Sequence, residues 1–213
     1  MGLLQILGLL FFLVALPAGS WYYLSRGLDY RMSALEELEE VGPIPAFGTI
    51  YHNGKVLPAD MIEDKMVVTS FLNMQNEKTS EALGQVLYQL HDQFDAREEV
   101  LFFTYVLNRQ DSTEQLDRFI EQHELQDTAQ CIFLLAEDAV ITDQARGAYQ
   151  LPLEEGQTLD DQTTMVFTDR DGIIRGYYDI TKEARQKRLV EHIAMLLPKK
   201  KDRELVFQRE KEK

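Results

Sequence analysis

Apolar residues follow one another along this chain in three rhythms, and each predicts a different element. The first is unbroken. Residues 1 to 25 contain no charged side chain, and Leu3–Leu24 is roughly 33 Å long as a helix, enough to cross a bilayer. The second is a set of short runs rich in β-branched and aromatic residues. Met66–Phe71, Glu99–Leu107, Gln130–Ala136, Thr163–Thr168 and Ile173–Tyr178 read as strands, and the near-continuous apolar character of Glu99–Leu107 and Gln130–Ala136 is that of strands buried on both faces. The third rhythm is helical. Leu83, Val86, Leu87, Leu90 and Phe94 share one face of a helix. Leu116, Phe119 and Ile120 do so within Ser112–Leu125, where Ser112 or Thr113 is the expected cap. Leu189, Val190, Ile193 and Leu197 do so within Thr181–Leu197, and Pro198 stops that helix. Asp138–Tyr149 also reads as helical.

Polar punctuation sets the order. Ser33–Glu40 reads as a short acidic helix or stalk, with Ser33 and Glu36 at capping-box spacing, and Gly42-Pro43-Ile44-Pro45 ends it. Phe47–Tyr51 and Val56-Leu57 flank His52-Asn53-Gly54-Lys55 as a β-hairpin with an Asn-Gly turn. Leu72–Asn76 is a turn, Gly156–Gln162 a polar loop, and Asp169-Arg170-Asp171-Gly172 a second hairpin turn. The succession is hairpin, β, α, β, α, β, α, β-hairpin, α. That predicts an α/β sheet with helices on both faces and an antiparallel hairpin at one side. The expected organisation is a transmembrane anchor over 1–25, an acidic stalk and linker over 26–45, one domain over 46–198 and a charged tail over 199–213.

Charge narrows the partners. The 213-residue chain carries a net −14, and its last 15 residues hold seven basic and four acidic side chains, so residues 1–198 carry −17. Such a body repels phosphate, which argues against nucleic-acid binding. A single cysteine, Cys131, excludes an internal disulfide and any CxxC-type metal or redox pair. It lies within an apolar strand and reads as a small buried hydrophobe. With no cysteine after the apolar N-terminus, a bacterial lipoprotein anchor is excluded. A cleaved signal peptide is the rival of a retained anchor, with Ala15–Gly19 as a poor cleavage site. The missing basic n-region and the length of the run favour retention, with bilayer contact through residues 3–24 and Trp21-Tyr22-Tyr23 at the interface. Arg26 and Arg31 follow the span, and a literal positive-inside count places the domain in the cytoplasm.

The anchor, the hairpin around Asn53-Gly54-Lys55, the strand Val67-Val68-Thr69-Ser70-Phe71 and the run Asp171-Gly172-Ile173-Ile174-Arg175-Gly176-Tyr177-Tyr178-Asp179 resemble the Sco/SenC family, membrane-tethered copper chaperones of cytochrome oxidase. The resemblance covers most of residues 1–197, the middle by pattern rather than identity. It implies a thioredoxin-like fold with an N-terminal β-hairpin behind a single transmembrane helix. It also implies a bacterial cytoplasmic-membrane location with the domain on the periplasmic side, against the arginine count. The family binds copper through a CxxxC pair at the loop–helix junction and a histidine before the last hairpin. Here Met74, Lys78 and Asp161 stand at the matching positions, so none of the three ligands is kept. Copper(I) favours soft donors. Met74 offers a weak thioether, Lys78 a cation and Asp161 a hard oxygen, and a Lys78–Asp161 ion pair is the expected replacement for the metal.

Other chemistry is sparse. His52, His91, His123 and His192 form no HxxxH or HxH pair, and His91 and His123 read as surface or rim residues of helices. Glu36, Glu37, Glu39 and Glu40 read as solvated stalk. Asp169–Gly172 lacks the later ligands of a calcium loop, and no phosphate loop or GxSxG elbow is present. These readings lead to a non-enzymatic protein without a cofactor. Its expected role is contact with an integral membrane complex of the respiratory, cytochrome oxidase type, as accessory subunit or assembly factor. Two alternatives stay open: a copper or thiol-disulfide chaperone with atypical ligands, and a subunit of an unrelated transport or secretion complex. The tail reads as a solvated end, or as a strap anchored by Leu205-Val206-Phe207.

Overall fold

In the computed structural model, residues 8, 11–43, 50–51, 59–107, 113–153 and 158–198 are described. They fall into two compact units, Met1–Leu38 and Glu39–Lys213.

The first unit is built on one helix, α1 (Leu16–Glu36), entered through a wide π-type turn, Phe11–Ala15. Pro17 sits in its first turn, where a missing N–H costs nothing. Ser33, expected to start a separate acidic helix, lies inside α1. Its capping-box spacing with Glu36 is therefore not used, because a helix already under way at Leu16 continues through good helix formers.

The structure does not bear out the expected single-pass placement in a bacterial cytoplasmic membrane. Among the described residues no helix is long and apolar enough to cross a membrane. α1 itself carries the charged side chains of Arg26, Asp29 and Arg31.

The second unit is a six-stranded sheet: β1 (Ile50–Tyr51), β2 (Met66–Asn73), β3 (Val100–Leu107), β4 (Cys131–Leu135), β5 (Thr164–Thr168) and β6 (Ile174–Asp179), in the spatial order β1-β4-β3-β2-β5-β6. β2, β3 and β4 run parallel, with Val68 beside Phe102 and Phe102 beside Cys131. β5 runs antiparallel to β2, and β6 runs antiparallel to β5, the two forming a hairpin. Of the predicted N-terminal hairpin, Ile50–Tyr51 pairs antiparallel with β4, and the Asn53-Gly54 turn lies outside the described residues. So do Ser112 and the tail 199–213.

All eight residues of β2 and of β3 are buried, as their unbroken apolar runs require. The pleat sorts them. Met66, Val68, Leu72, Val100, Phe102, Val106 and Phe133 point into one core layer, which takes in α2 (Glu77–Phe94), α3 (Thr113–Gln122) and α5 (Glu183–Leu196). Val67, Phe71, Leu101, Phe103, Tyr105, Ile132 and Leu134 point into the other. That layer is closed by α4 (Asp138–Asp143), which ends in a π-type turn, Gln144–Ala148, and by Tyr149. Within the segment expected as polar loop, Leu159–Asp161 forms a single 3₁₀ turn, because Leu159 is buried in this second layer. Fully buried Tyr149 closes the sheet face against Phe71 and Tyr105, at ring distances of 6.0 and 5.9 Å.

Candidate functional site

The junction between β2 and α2 is held by two asparagines. Asn76 caps α2: its side chain accepts from the Thr79 N–H at 3.3 Å, and its carbonyl accepts the Thr79 hydroxyl at 3.1 Å. This satisfies donors that a helix N-terminus otherwise leaves open. The same side chain uses its Nδ2 to donate to Asp161 Oδ1 at 2.6 Å. Asn73, buried at the end of β2, donates to both the backbone oxygen and Oδ1 of Asp160, each at 3.2 Å, while its own Oδ1 accepts the Gln75 N–H at 3.0 Å. Thr158 caps the turn that presents these aspartates, donating to Asp160 Oδ2 at 3.0 Å. The loop after β2 is thus tied to the turn before β5 by neutral amide-to-carboxylate bonds.

The three positions singled out by resemblance sit around this clamp. Met74 is half-buried and packs against the core layer shared with α2. Lys78 is exposed in the first turn of α2. Asp161 is exposed and engaged by Asn76. The expected Lys78–Asp161 ion pair does not form among the described residues, since Asp161 turns to the amide of Asn76 instead. Their chemistry does not fit copper(I): a thioether turned to the core, an ammonium and a carboxylate are not a soft donor set.

Cys131 opens β4 and is buried, without a partner sulfur. Burial, aided by the charge of Asp127, pushes its thiol up to about 12. The group is therefore a neutral thiol at ordinary pH and a poor nucleophile.

Of the two histidines expected at the surface or rim of helices, His91 keeps a rim position and His123 does not. His123, just past α3, is buried on Phe119, with Nε2 3.4 Å from Glu81 Oε2 and no aligned hydrogen bond. It reaches the core because Gly84 leaves room for its ring. His192 is buried and bonded through Nδ1 to the Tyr178 hydroxyl at 2.5 Å. His91 is half-buried, its Nδ1 2.6 Å from Gln130 Oε1. His52 lies outside the described residues. Asp169–Gly172 is the turn expected: Asp169 Oδ1 accepts the N–H groups of Asp171 and Ile173, both at 3.0 Å, and Gly172 takes φ +75°. Asp169 Oδ2 binds Arg175 Nε at 2.5 Å, and Arg175 also reaches Glu40 at 2.8 Å, so one of the stalk carboxylates is a structural partner.

Sequence reasoning missed the asparagine clamp. The one available signal was Asn76 three residues before Thr79 at a helix start.

No protein-family model and no curated protein sequence matches the chain. Solved structures do. A SCO1/SenC family lipoprotein from Bacillus anthracis superposes with a TM-score of 0.64 at 15% identity, covering 76% of this chain and 98% of that one. BsSco, described as a member of the Sco family of cytochrome c oxidase assembly proteins, gives 0.57 at 14% identity over 71% and 91%. ScoI of Bradyrhizobium japonicum with copper bound gives 0.52 at 14% identity over 73% and 100%. Identity this low speaks for the fold, and the fold of this chain is the thioredoxin-like fold of the Sco/SenC proteins.

Proposed function

We propose that this protein is a non-catalytic Sco-like module acting by protein–protein contact, as an accessory or assembly component of a cytochrome oxidase-type respiratory complex. One observation carries the reading. The loop–helix junction where a Sco-like fold would work is closed by Asn73 and Asn76 onto Asp160 and Asp161, with Met74 turned to the core. Thiol exchange needs an attacking and a resolving sulfur. The single cysteine is buried, with its thiol pushed up to about 12. The similarity to proteins described as cytochrome c oxidase assembly factors supplies the partner class.

The test has two arms. The full chain, titrated with copper(I) against a competing chelator, is expected to show no stoichiometric submicromolar binding and no disulfide reductase turnover. Purified from its native source, it is expected to bring down subunits of an oxidase-type complex. Tight copper(I) binding abolished by Met74→Ala overturns the first half, and co-purification with a transport or secretion complex overturns the second.

A further inference from the structure

Away from the junction, the C-terminal end of α2 meets the segment entering β4 beside a cavity of about 300 Å³, whose lining includes Lys65, Asp95, Asp127 and Gln130. His91 and Asp95 are one helical turn apart on α2, Asp95 being its C-terminal cap residue. A ring nitrogen of His91 and one carboxylate oxygen each from Asp95 and Asp127 lie within 4.8 Å of one another.

Two features make this more than a chance meeting of polar groups. The first is Gln130, which is buried. Its Nε2 donates to the backbone oxygens of Phe94 at 2.9 Å and Arg97 at 3.3 Å. With both N–H bonds spent, its Oε1 faces His91 Nδ1 at 2.6 Å and accepts only, so Nδ1 carries the proton. The lone pair is left on Nε2, the arrangement an outer-shell carbonyl imposes on a metal-binding imidazole. The second is charge. Among the described residues neither Asp95 nor Asp127 makes an ion pair, and Lys65 donates to the Glu98 backbone oxygen at 2.6 Å. Two neighbouring carboxylates without a cation repel each other. Asp127 is also preset, since its Oδ1 accepts the Ala129 N–H at 2.9 Å while its backbone oxygen accepts from Gln130 at 3.2 Å and Cys131 at 2.7 Å.

We propose that His91, Asp95 and Asp127 bind a divalent transition-metal ion of the zinc type, with Gln130 as the positioning residue. One imidazole and two carboxylates suit such an ion and leave a position for water at the open rim. Copper(I) would require sulfur, and calcium would require six or more oxygens. Bonds of about 2.0 Å set tetrahedral donors roughly 3.3 Å apart. The ion must draw the three groups inward, and the exposed Asp95 is free to swing.

The site is separate from the contact function proposed above, and zinc alone tests it. The chelator-stripped full chain is titrated with Zn²⁺ against a chromogenic indicator, and with Co²⁺ read by visible absorption. One ion per chain is expected, in the micromolar range or tighter. His91→Gln and Asp95→Asn, both outside the buried core, are each expected to weaken binding at least tenfold. Gln130→Ala should weaken it by about 10- to 100-fold. On zinc addition, the Nε2 resonance of His91 is expected to move while Nδ1 stays protonated. The proposal fails if saturable binding is absent below about 100 µM, a range far weaker than structural zinc sites. It also fails if His91→Gln, folded by circular dichroism, binds as the parent does.

Discussion

A single missing methyl group decides the environment of His123. A Cβ built on Gly84 would lie 2.3 Å from His123 Cδ2 and 2.4 Å from its Nε2. Gly84→Ala therefore sets two effects against each other. Alanine in a helix interior gains about 1 kcal/mol over glycine, while forcing a side chain into an occupied site costs about 1–3 kcal/mol. The ring is packed against Phe119 at 4.7 Å between centroids and has little room to retreat. We expect a net loss of about 1 kcal/mol in urea unfolding, and a gain of about 1 kcal/mol when Gly84→Ala is made in the His123→Ala background, where only the propensity term remains. Parent-like stability in the single variant would mean that the imidazole leaves its niche at no cost. This shows why residue-scale reading succeeds for some groups and fails for others. The inertness of Cys131 was legible because its own strand, QCIFLLA, supplies the burial. The burial of His123 was not, because it depends on the absence of a side chain on another helix.

At the scale of elements, periodicity was a reliable guide within the second unit, whereas the membrane span read from the long apolar run Leu3–Leu24 was not borne out. β2, β3 and the face of α2 carrying Leu83, Val86, Leu87, Leu90 and Phe94 appear as expected. The errors fall where local signals compete. Ser33 and Glu36 look like a helix start, yet α1 runs past them. The polar segment before β5 hides a turn held by one buried leucine, Leu159. The clamp at the β2–α2 junction was hidden for a related reason: Asn73 and Asn76 find their carboxylates 87 and 85 residues further along the chain. Its contribution can be measured. Asn76→Ala removes the cap of α2, worth about 1 kcal/mol, together with the exposed bond to Asp161. A loss of about 1–2 kcal/mol is expected, with faster amide exchange at Thr79 and in the turn Leu159–Asp161. Asn76→Ser, which keeps a capping oxygen but cannot reach Asp161 in the same way, should restore protection at Thr79 and not at that turn. Equal loss in both variants would show that cap and clamp are one interaction.

The second unit is organised by the two faces of one sheet, and this was the most legible level, since alternating β-strand and helix patterns admit few layouts. Core residues on the two faces come from the second compact unit, Glu39–Lys213: Met66, Val68 and Phe102 on one, Val67, Phe71 and Phe103 on the other. Even its leading edge is tied to its own sheet. The Glu39 N–H donates to the Arg175 carbonyl at 2.9 Å, Val41 pairs with Ile174, and Pro43 bridges Ile173. In the first unit, by contrast, Ala34 alone is buried among the described residues, while Trp21, Tyr22, Tyr23 and Leu24 are exposed. An alanine buries too little apolar surface to govern a core of this size. Removing residues 1–38 should therefore leave the second unit with its own cooperative transition. We expect Tm to change by no more than about 4 °C, the shift that roughly 1 kcal/mol produces in a domain of this size, and the near-ultraviolet circular dichroism of the buried tyrosines to be kept. Loss of the cooperative transition would place part of the stabilising core in the N-terminal helix, where the burial pattern puts almost none of it.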